Sequence, residues 1–374
     1  MRVIPMAAIG GIVAGMMGSA VLPALVEAEV SAEIVARAQQ AKLAATRLPD
    51  LGEIGYAGLY AGVSSGALLA AGGTNFPDAP PWKQGKKAWY DQIWALTPGA
   101  ETWRQVGKLE RPRALGACVT VEGLGVLCIG GGDDKQVLAD AFVLRFDPKS
   151  GQASTSRFPD LPKPLMASSA AVAAGRVYVV GGHEQLGPLA GDGPPAEVWS
   201  IDPAKPPDGW RREPPIPSAG RYLPVLAGDD RCLYVFSGMS RVVSPEGKPA
   251  LHCLADAWRL TCADGKWERL VDLPRGNAAA PGPAPIIDGR FVLLGGGVDD
   301  TNLTGPMDQR PPFPPTALGV DPQTGETSPV GEVRSSVVAA SVAPWNGGFA
   351  VISGEVRAGV RTPEVWLYRA GGDR

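Results

Sequence analysis

The chain has 374 residues, enough for one large domain or two ordinary ones, and its 45% apolar fraction excludes an intrinsically disordered chain. A net charge of −3, with no basic stripe and no acidic tail, argues against a nucleic-acid or polyanion surface. The 49 glycines and 37 prolines are spread along the chain, as many short strands joined by tight turns require.

In chain order, Met1-Arg2 gives a short positive start and residues 3–26 carry no charge. Val26-Glu27-Ala28 offers a small-residue cleavage site, so 1–28 reads as an export signal. The apolar run is also long enough to stay in a bilayer as an anchor. Either reading places the body of the protein outside the cytoplasm, in the periplasm or tethered at the outer side of the cytoplasmic membrane. Residues 29–45, rich in Ala, Glu, Gln and Lys, favour a helical spacer on propensity. The remainder, 46–374, is expected to form one domain.

Self-similarity fixes the architecture of that domain. Six segments, 67–73, 126–131, 177–182, 233–238, 291–296 and 349–354, end an apolar strand in Gly-Gly or Ser-Gly. They recur about every 50 to 60 residues, the period of kelch propellers. After each comes a variable loop and then a strand carrying Trp94, Phe142, Trp199, Trp258, Leu318 or Trp366 at a matching place. Trp103, Trp210 and Trp267 mark fourth strands. The expected fold is therefore an all-β, six-bladed kelch-type β-propeller. The sixth unit runs out after its third strand at Tyr368, so the ring must be closed by an N-terminal strand near 44–48.

Topology separates the two faces. Links between first and second strands are short, such as Ser64-Ser65-Gly66 and Asn346-Gly347. Links after the glycine signal are long, at 74–89, 183–196, 239–254 and 298–315, and share a face with the interblade links. Those interblade links carry Arg113, Arg221, Arg275 and Arg334, which either surround the axis as ligands or pair with acids at strand ends. Five cysteines are too few for a disulfide scaffold, although Cys118 and Cys128 lie equidistant from Gly123 and could bridge across a hairpin. Cys232, Cys253 and Cys262 have no interpretable spacing. Only His183 and His252 are available as histidines, and no cluster has metal-ligand spacing, so no metal or cofactor is expected.

The most specific local motif is Gly354-Glu355-Val356-Arg357-Ala358-Gly359-Val360-Arg361-Thr362. It sets a carboxylate directly after a strand-ending glycine and a guanidinium six residues on, in a short loop. Arginine can grip a substrate carboxylate bidentately while glutamate exchanges a proton with a hydroxyl. A pair that merely pins its own loop is the competing reading.

This motif resembles the Gly-Glu-x-x-x-Gly-x-Arg-Thr of the cyclically permuted kelch mutarotases, whose best-known members are bacterial N-acetylneuraminate epimerases. Further points of resemblance are Tyr56-Ala57-Gly58, Gly72-Gly73-Thr74-Asn75-Phe76-Pro77, Lys86-Lys87, and Arg113-Ala114-Leu115-Gly116, where the family has Arg-Ala-Tyr-Gly. The blades start at a different point on the ring than in the characterised epimerases. The resemblance implies Glu355 as catalytic acid/base and Arg361 as partner of a substrate carboxylate. It also implies Asn75, Lys86, Lys87 and Arg113 as pocket-lining residues that bind substrate. The activity implied is interconversion of the α and β anomers of N-acetylneuraminate or a related sugar acid, with a small-molecule sugar or sugar acid as the partner. The alternative is a non-catalytic exported module that binds a glycan or a protein.

Overall fold

The computed structural model describes residues 43–187 and 195–371. The expected signal or anchor at 1–28 and all but the end of the spacer at 29–45 lie outside the described residues. Among the described residues, 43–187 and 195–371, no helix is long and apolar enough to cross a membrane.

Six four-stranded antiparallel sheets follow one another, spanning 60–108, 117–158, 166–213, 225–269, 286–332 and 341–370, hereafter blades 1 to 6. Blade 6 takes its fourth strand from Leu43–Leu48, in register from Leu43 opposite Ala370 to Leu48 opposite Val365. Closure near 44–48 is as the repeat predicts. The same strand corrects the helical expectation at the end of 29–45, because the unpaired edge of Val360–Ala370 recruits Leu43–Ala45 into the ladder.

Burial grades outward within each blade. The second strand of blade 1, Ala67–Ala71, is buried throughout, whereas the outermost strand of blade 2, Gln152–Phe158, is mostly exposed. Apolar side chains on both faces of each sheet meet those of the adjacent sheet. The result is six main apolar layers, one between every pair of neighbouring blades. Trp103, Trp210 and Trp267 tie the outer rims together. Each indole Nε1 donates to a proline carbonyl of the preceding rim, at Pro49 (2.9 Å), Pro159 (2.8 Å) and Pro214 (3.0 Å) respectively.

At the axis the blades are joined by a closed circle of backbone hydrogen bonds. Leu115 N–H donates to Gly58 (2.9 Å), Ala167 to Leu115 (2.7 Å) and Leu223 to Ala167 (2.8 Å). Ala279 donates to Leu223 (2.9 Å), Ala339 to Ala279 (2.8 Å), and Gly58 to Ala339 (2.7 Å), which completes the circuit. All six residues have left-handed φ, between 45° and 69°. Five of them carry a Cβ and give up about 1–2 kcal/mol each to stand there. The circle is the waist of a channel lined by the innermost segments of all six blades, from Gly58 and Leu115 to Ala339 and Ser341.

Arginines lock the blades just outside this circle. Arg113 pairs bidentately with Asp140 (2.8 and 2.7 Å), donates to Gly130 O (2.7 Å), and lies over the rings of Tyr60 and Phe142. Arg221, fully buried, repeats the pattern with Asp256 (2.8 and 3.0 Å) and Ser237 O (2.8 Å), and Arg275 does so with Asp299 (3.0 Å) and Gly296 O (2.6 Å). Burial alone would raise the Asp140 and Asp256 pKa values. The arginine hydrogen bonds and charge outweigh it and hold both carboxyls below the usual range. Arg334 is exposed, and its backbone N–H donates to Tyr368 Oη at 3.1 Å. The arginines are thus not a ring of free ligands around the axis: three are spent on acids and on the carbonyls of the glycine signals.

Two further expectations are revised. The presumed loop 239–254 is mostly a protruding hairpin, because Cys232–Val243 and Pro249–Thr261 keep pairing beyond the blade. Cys118 and Cys128 do face each other in register, as buried free thiols.

Arg221→Ala leaves Asp256 buried without its cation and is expected to cost about 3–5 kcal/mol in urea unfolding. The exposed Arg334→Ala should stay within about 0.5 kcal/mol. A loss under 1 kcal/mol for Arg221→Ala would show that the pair does not lock the blades. Deleting the chain through Leu48 should lower the melting temperature and give concentration-dependent association on gel filtration, since it bares the edge of Val360–Ala370. A truncated chain that stays monomeric with an unchanged melting point would overturn the closure argument.

Candidate active site at the channel mouth

Each blade presents one residue immediately above the circle of amides. It follows the strand-ending glycine and pairs with the residue preceding the circle member: Thr74 with Ala57, Gly132 with Ala114, His183 with Met166, Met239 with Tyr222, Val298 with Ala278, and Glu355 with Val338. In blade 6 both bonds of this pair form, Val338 N–H to Glu355 O at 2.9 Å and Glu355 N–H to Val338 O at 3.0 Å. Glu355 is therefore held one step above the waist, on the face of the long connections. Of these six residues only His183 and Glu355 carry an acid/base side chain.

The Glu355 segment is not a loop. Gly348–Arg357 and Val360–Ala370 extend past the blade as a hairpin with bulges, pairing Gly354 with Thr362 and Glu355 with Arg361. Cross-strand partners put their side chains on one face, so the carboxylate and guanidinium meet. Arg361 Nη2 lies 2.9 Å from Glu355 Oε2, and the Gly359 N–H at the turn donates to Oε1 at 2.9 Å. Both oxygens of the carboxylate are thereby oriented.

The long connection of blade 1 covers this pair. Thr74–Asn75 and Ala88–Trp89 form a small ladder at its base. Phe76 lays its ring 4.5 Å from the Arg361 guanidinium carbon, and Lys87 Nζ lies 5.9 Å from the Phe76 ring and 5.5 Å from that of Trp89. The Arg361 side chain is only 6% exposed, and its Nε and Nη1 have no hydrogen-bond partner among the described residues. Burial pulls the Arg361 pKa below its ordinary value, with Glu355 only partly offsetting it. Lys87 presents surface to solvent, yet protein crowds its ammonium. That desolvation, then the Arg361 charge, lowers its pKa, while Glu355 acts in the opposite sense. Arg361 and Lys87 thus both stand at the Phe76 ring, and two donors of Arg361 are idle among the described residues.

Of the six residues singled out from sequence, Glu355, Arg361 and Lys87 come together. Asn75 stands beside them but shapes the loop: its Nδ2 donates to Gly55 O and its Oδ1 accepts from Phe76 N–H, both at 2.5 Å. Lys86 is exposed on the same connection. Arg113 is not brought to the cluster, because Asp140 and Gly130 hold its guanidinium between blades 1 and 2. His183 is buried with Nδ1 2.5 Å from Gln185 O and its ring edge-on to Tyr222, and burial lowers its pKa. Sequence reasoning missed Phe76 and Trp89 as aromatic walls and Arg357 at the hairpin turn. An aromatic flanking each end of the loop was the available signal for the first two.

No family model matches the chain. A protein of Haemophilus influenzae named N-acetylneuraminate epimerase is 26% identical over 237 residues, 57% of this chain and 59% of that one. A protein of the same name from Brucella melitensis is 36% identical over 106 residues, 26% of either chain. A kelch repeat-containing protein of Arabidopsis thaliana is 26% identical over 219 residues, 55% of this chain and 49% of its own. The chain thus spans between about a quarter and three-fifths of the length of these relatives. Among solved structures, that of YjhT matches with a TM-score of 0.63 at 16% identity, over 87% of this chain and 98% of that one, which shows a shared fold. By its repeat, its closed ring and the shared fold, the chain is a six-bladed β-propeller of the kelch type.

Proposed function

We propose that the Glu355–Arg361 cluster is a proton-transfer site for an anionic sugar, and that the chain is a mutarotase interconverting the α and β anomers of N-acetylneuraminate or a related sugar acid. The observation that carries this reading is the buried Arg361, with Nε and Nη1 unpartnered, beside an oriented carboxylate. Buried donors without acceptors cost about 1–3 kcal/mol, and a ligand carboxylate would satisfy them. The relatives' printed name supports the substrate class.

In the reaction, Glu355 takes the proton of the anomeric hydroxyl. The oxygen left behind forms the carbonyl, the bond from the anomeric carbon to the ring oxygen breaks, and the ring oxygen takes a proton from water. After rotation, that hydroxyl attacks the other face of the carbonyl, loses its proton to water, and Glu355 returns a proton to the new anomeric oxygen. A positioned carboxylate contributes on the order of 10²–10⁴-fold to such a transfer. Arg361 and Lys87 hold the substrate carboxylate, which leaves the sugar ring beside Glu355. On the strength of residues 1–28, we place this activity outside the cytoplasm.

Glu355→Gln keeps the shape of the side chain and removes the proton acceptor. Anomer exchange of N-acetylneuraminate, followed by NMR, should fall at least about 100-fold while binding survives. Wild-type binding without exchange would favour the glycan-binding alternative. The Lys87 contribution is present while its ammonium is charged and is lost as pH rises through its lowered pKa. KM for the anion should therefore climb on the alkaline side below the pH of an ordinary lysine, about 10.4. Lys87→Arg should move that limb upward, and an unmoved limb would separate Lys87 from substrate binding.

A further inference from the structure

The turn that orients Glu355 is itself clamped from outside the hairpin. Arg357 stands two residues beyond Glu355, on the neighbouring bulge. Its guanidinium carbon lies 5.2 Å from the ring of Trp82, and its Nη1 donates to Asp308 O at 3.1 Å. Trp82 belongs to the short 3-10 turn Pro81–Lys83 in the long connection of blade 1. Asp308 belongs to the corresponding turn Met307–Gln309 in the long connection of blade 5. One side chain of blade 6 therefore ties the connections on both sides of it.

The clamp bears on the catalytic carboxylate through one glycine. Gly359, whose N–H holds Glu355 Oε1, has positive φ and packs so closely that an added Cβ would stand 2.7 Å from Pro81 and 2.9 Å from Trp82. Trp82 is thus wedged between the Arg357 guanidinium and the turn that carries the Gly359 amide. The same hairpin is also held from blade 5, where Phe313 N–H donates to Val356 O at 3.3 Å.

We propose that Arg357 is a positioning residue for the reaction: by stacking on Trp82 and anchoring to Asp308 it fixes the Gly359 turn, which in turn holds Glu355 Oε1 in line for proton transfer. It touches neither substrate nor reacting atoms. This rests on Glu355 being the proton acceptor, and it adds that the geometry of the acceptor is set by a contact between three blades. A planar guanidinium both stacks and donates sideways, whereas an ammonium does not reproduce the pair of contacts.

The test uses the full chain with Arg357→Ala, Arg357→Lys, Trp82→Ala and the Arg357/Trp82 double variant. Misplacement of a catalytic group by about 1 Å costs up to about 100-fold, so kcat for N-acetylneuraminate anomer exchange should fall at least about tenfold in Arg357→Ala, with KM changed less than about twofold. Arg357→Lys should recover only part of the loss, and the double variant should be no slower than the worse single one. A second measurement needs no substrate: amide hydrogen exchange at Gly359 should quicken about tenfold in Arg357→Ala, with the melting temperature unchanged. Unchanged protection of the Gly359 amide overturns the clamp, whatever the activity. Faster exchange with wild-type kcat overturns the positioning role alone. If the wild-type protein neither binds nor interconverts the sugar while the amide still quickens, the assigned reaction fails and the mechanical link stands.

Discussion

Six backbone amides, each donating to the blade before it, form the constraint on which the rest of the molecule depends. A single antiparallel sheet can satisfy its inner edge only with water or another strand. Here Gly58, Leu115, Ala167, Leu223, Ala279 and Ala339 bend into the left-handed region, so that the edge of one blade feeds the next. Each bond is worth only about 1 kcal/mol net, comparable to the backbone strain it demands. The circle persists because all six must be made together and because the apolar layers between blades favour the same geometry.

The same repeat that builds the waist supplies the site. A residue following each glycine signal is delivered to one height above the circle, and blade 6 places Glu355 there. The strand-ending glycines allow the backbones to approach: at Gly181 an added Cβ would stand 2.3 Å from the carbonyl of Arg221. Arg221 in turn uses its side chain to lock blade 4 through Asp256. The arginines are thus sorted by their partners. Arg113, Arg221 and Arg275 each have an acid and a carbonyl, with Arg221 Nε alone left over among their described donors, whereas Arg361 has the Glu355 carboxylate and keeps both Nε and Nη1 idle.

The hairpins show where local reading stops. After the glycine signal the connections read as loops, and in blades 4 and 6 they are instead paired strands that rise above the face. Neither stretch has a strong alternating pattern, because above the blade there is no second sheet to demand one. Leu43–Ala45 likewise favours a helix on propensity and becomes a strand because a vacant edge stands beside it. Arg113, singled out by its motif, belongs to the interblade lock because Asp140 lies within reach only after blade 2 has folded.

By itself the sequence determined the number of blades, the closing strand, the face bearing the long connections, and Glu355 with Arg361 as the pair to watch. Those follow from period, strand polarity and spacing along one chain, all of which are local properties. Only the tertiary structure decided which arginines are locked to acids between blades, which aromatic rings stand at the Glu355–Arg361 pair, and that Arg357 joins connections from blades 1 and 5. These depend on residues far apart in the chain being brought within a few ångströms, a matter of how six sheets wedge together rather than of any one segment's preference.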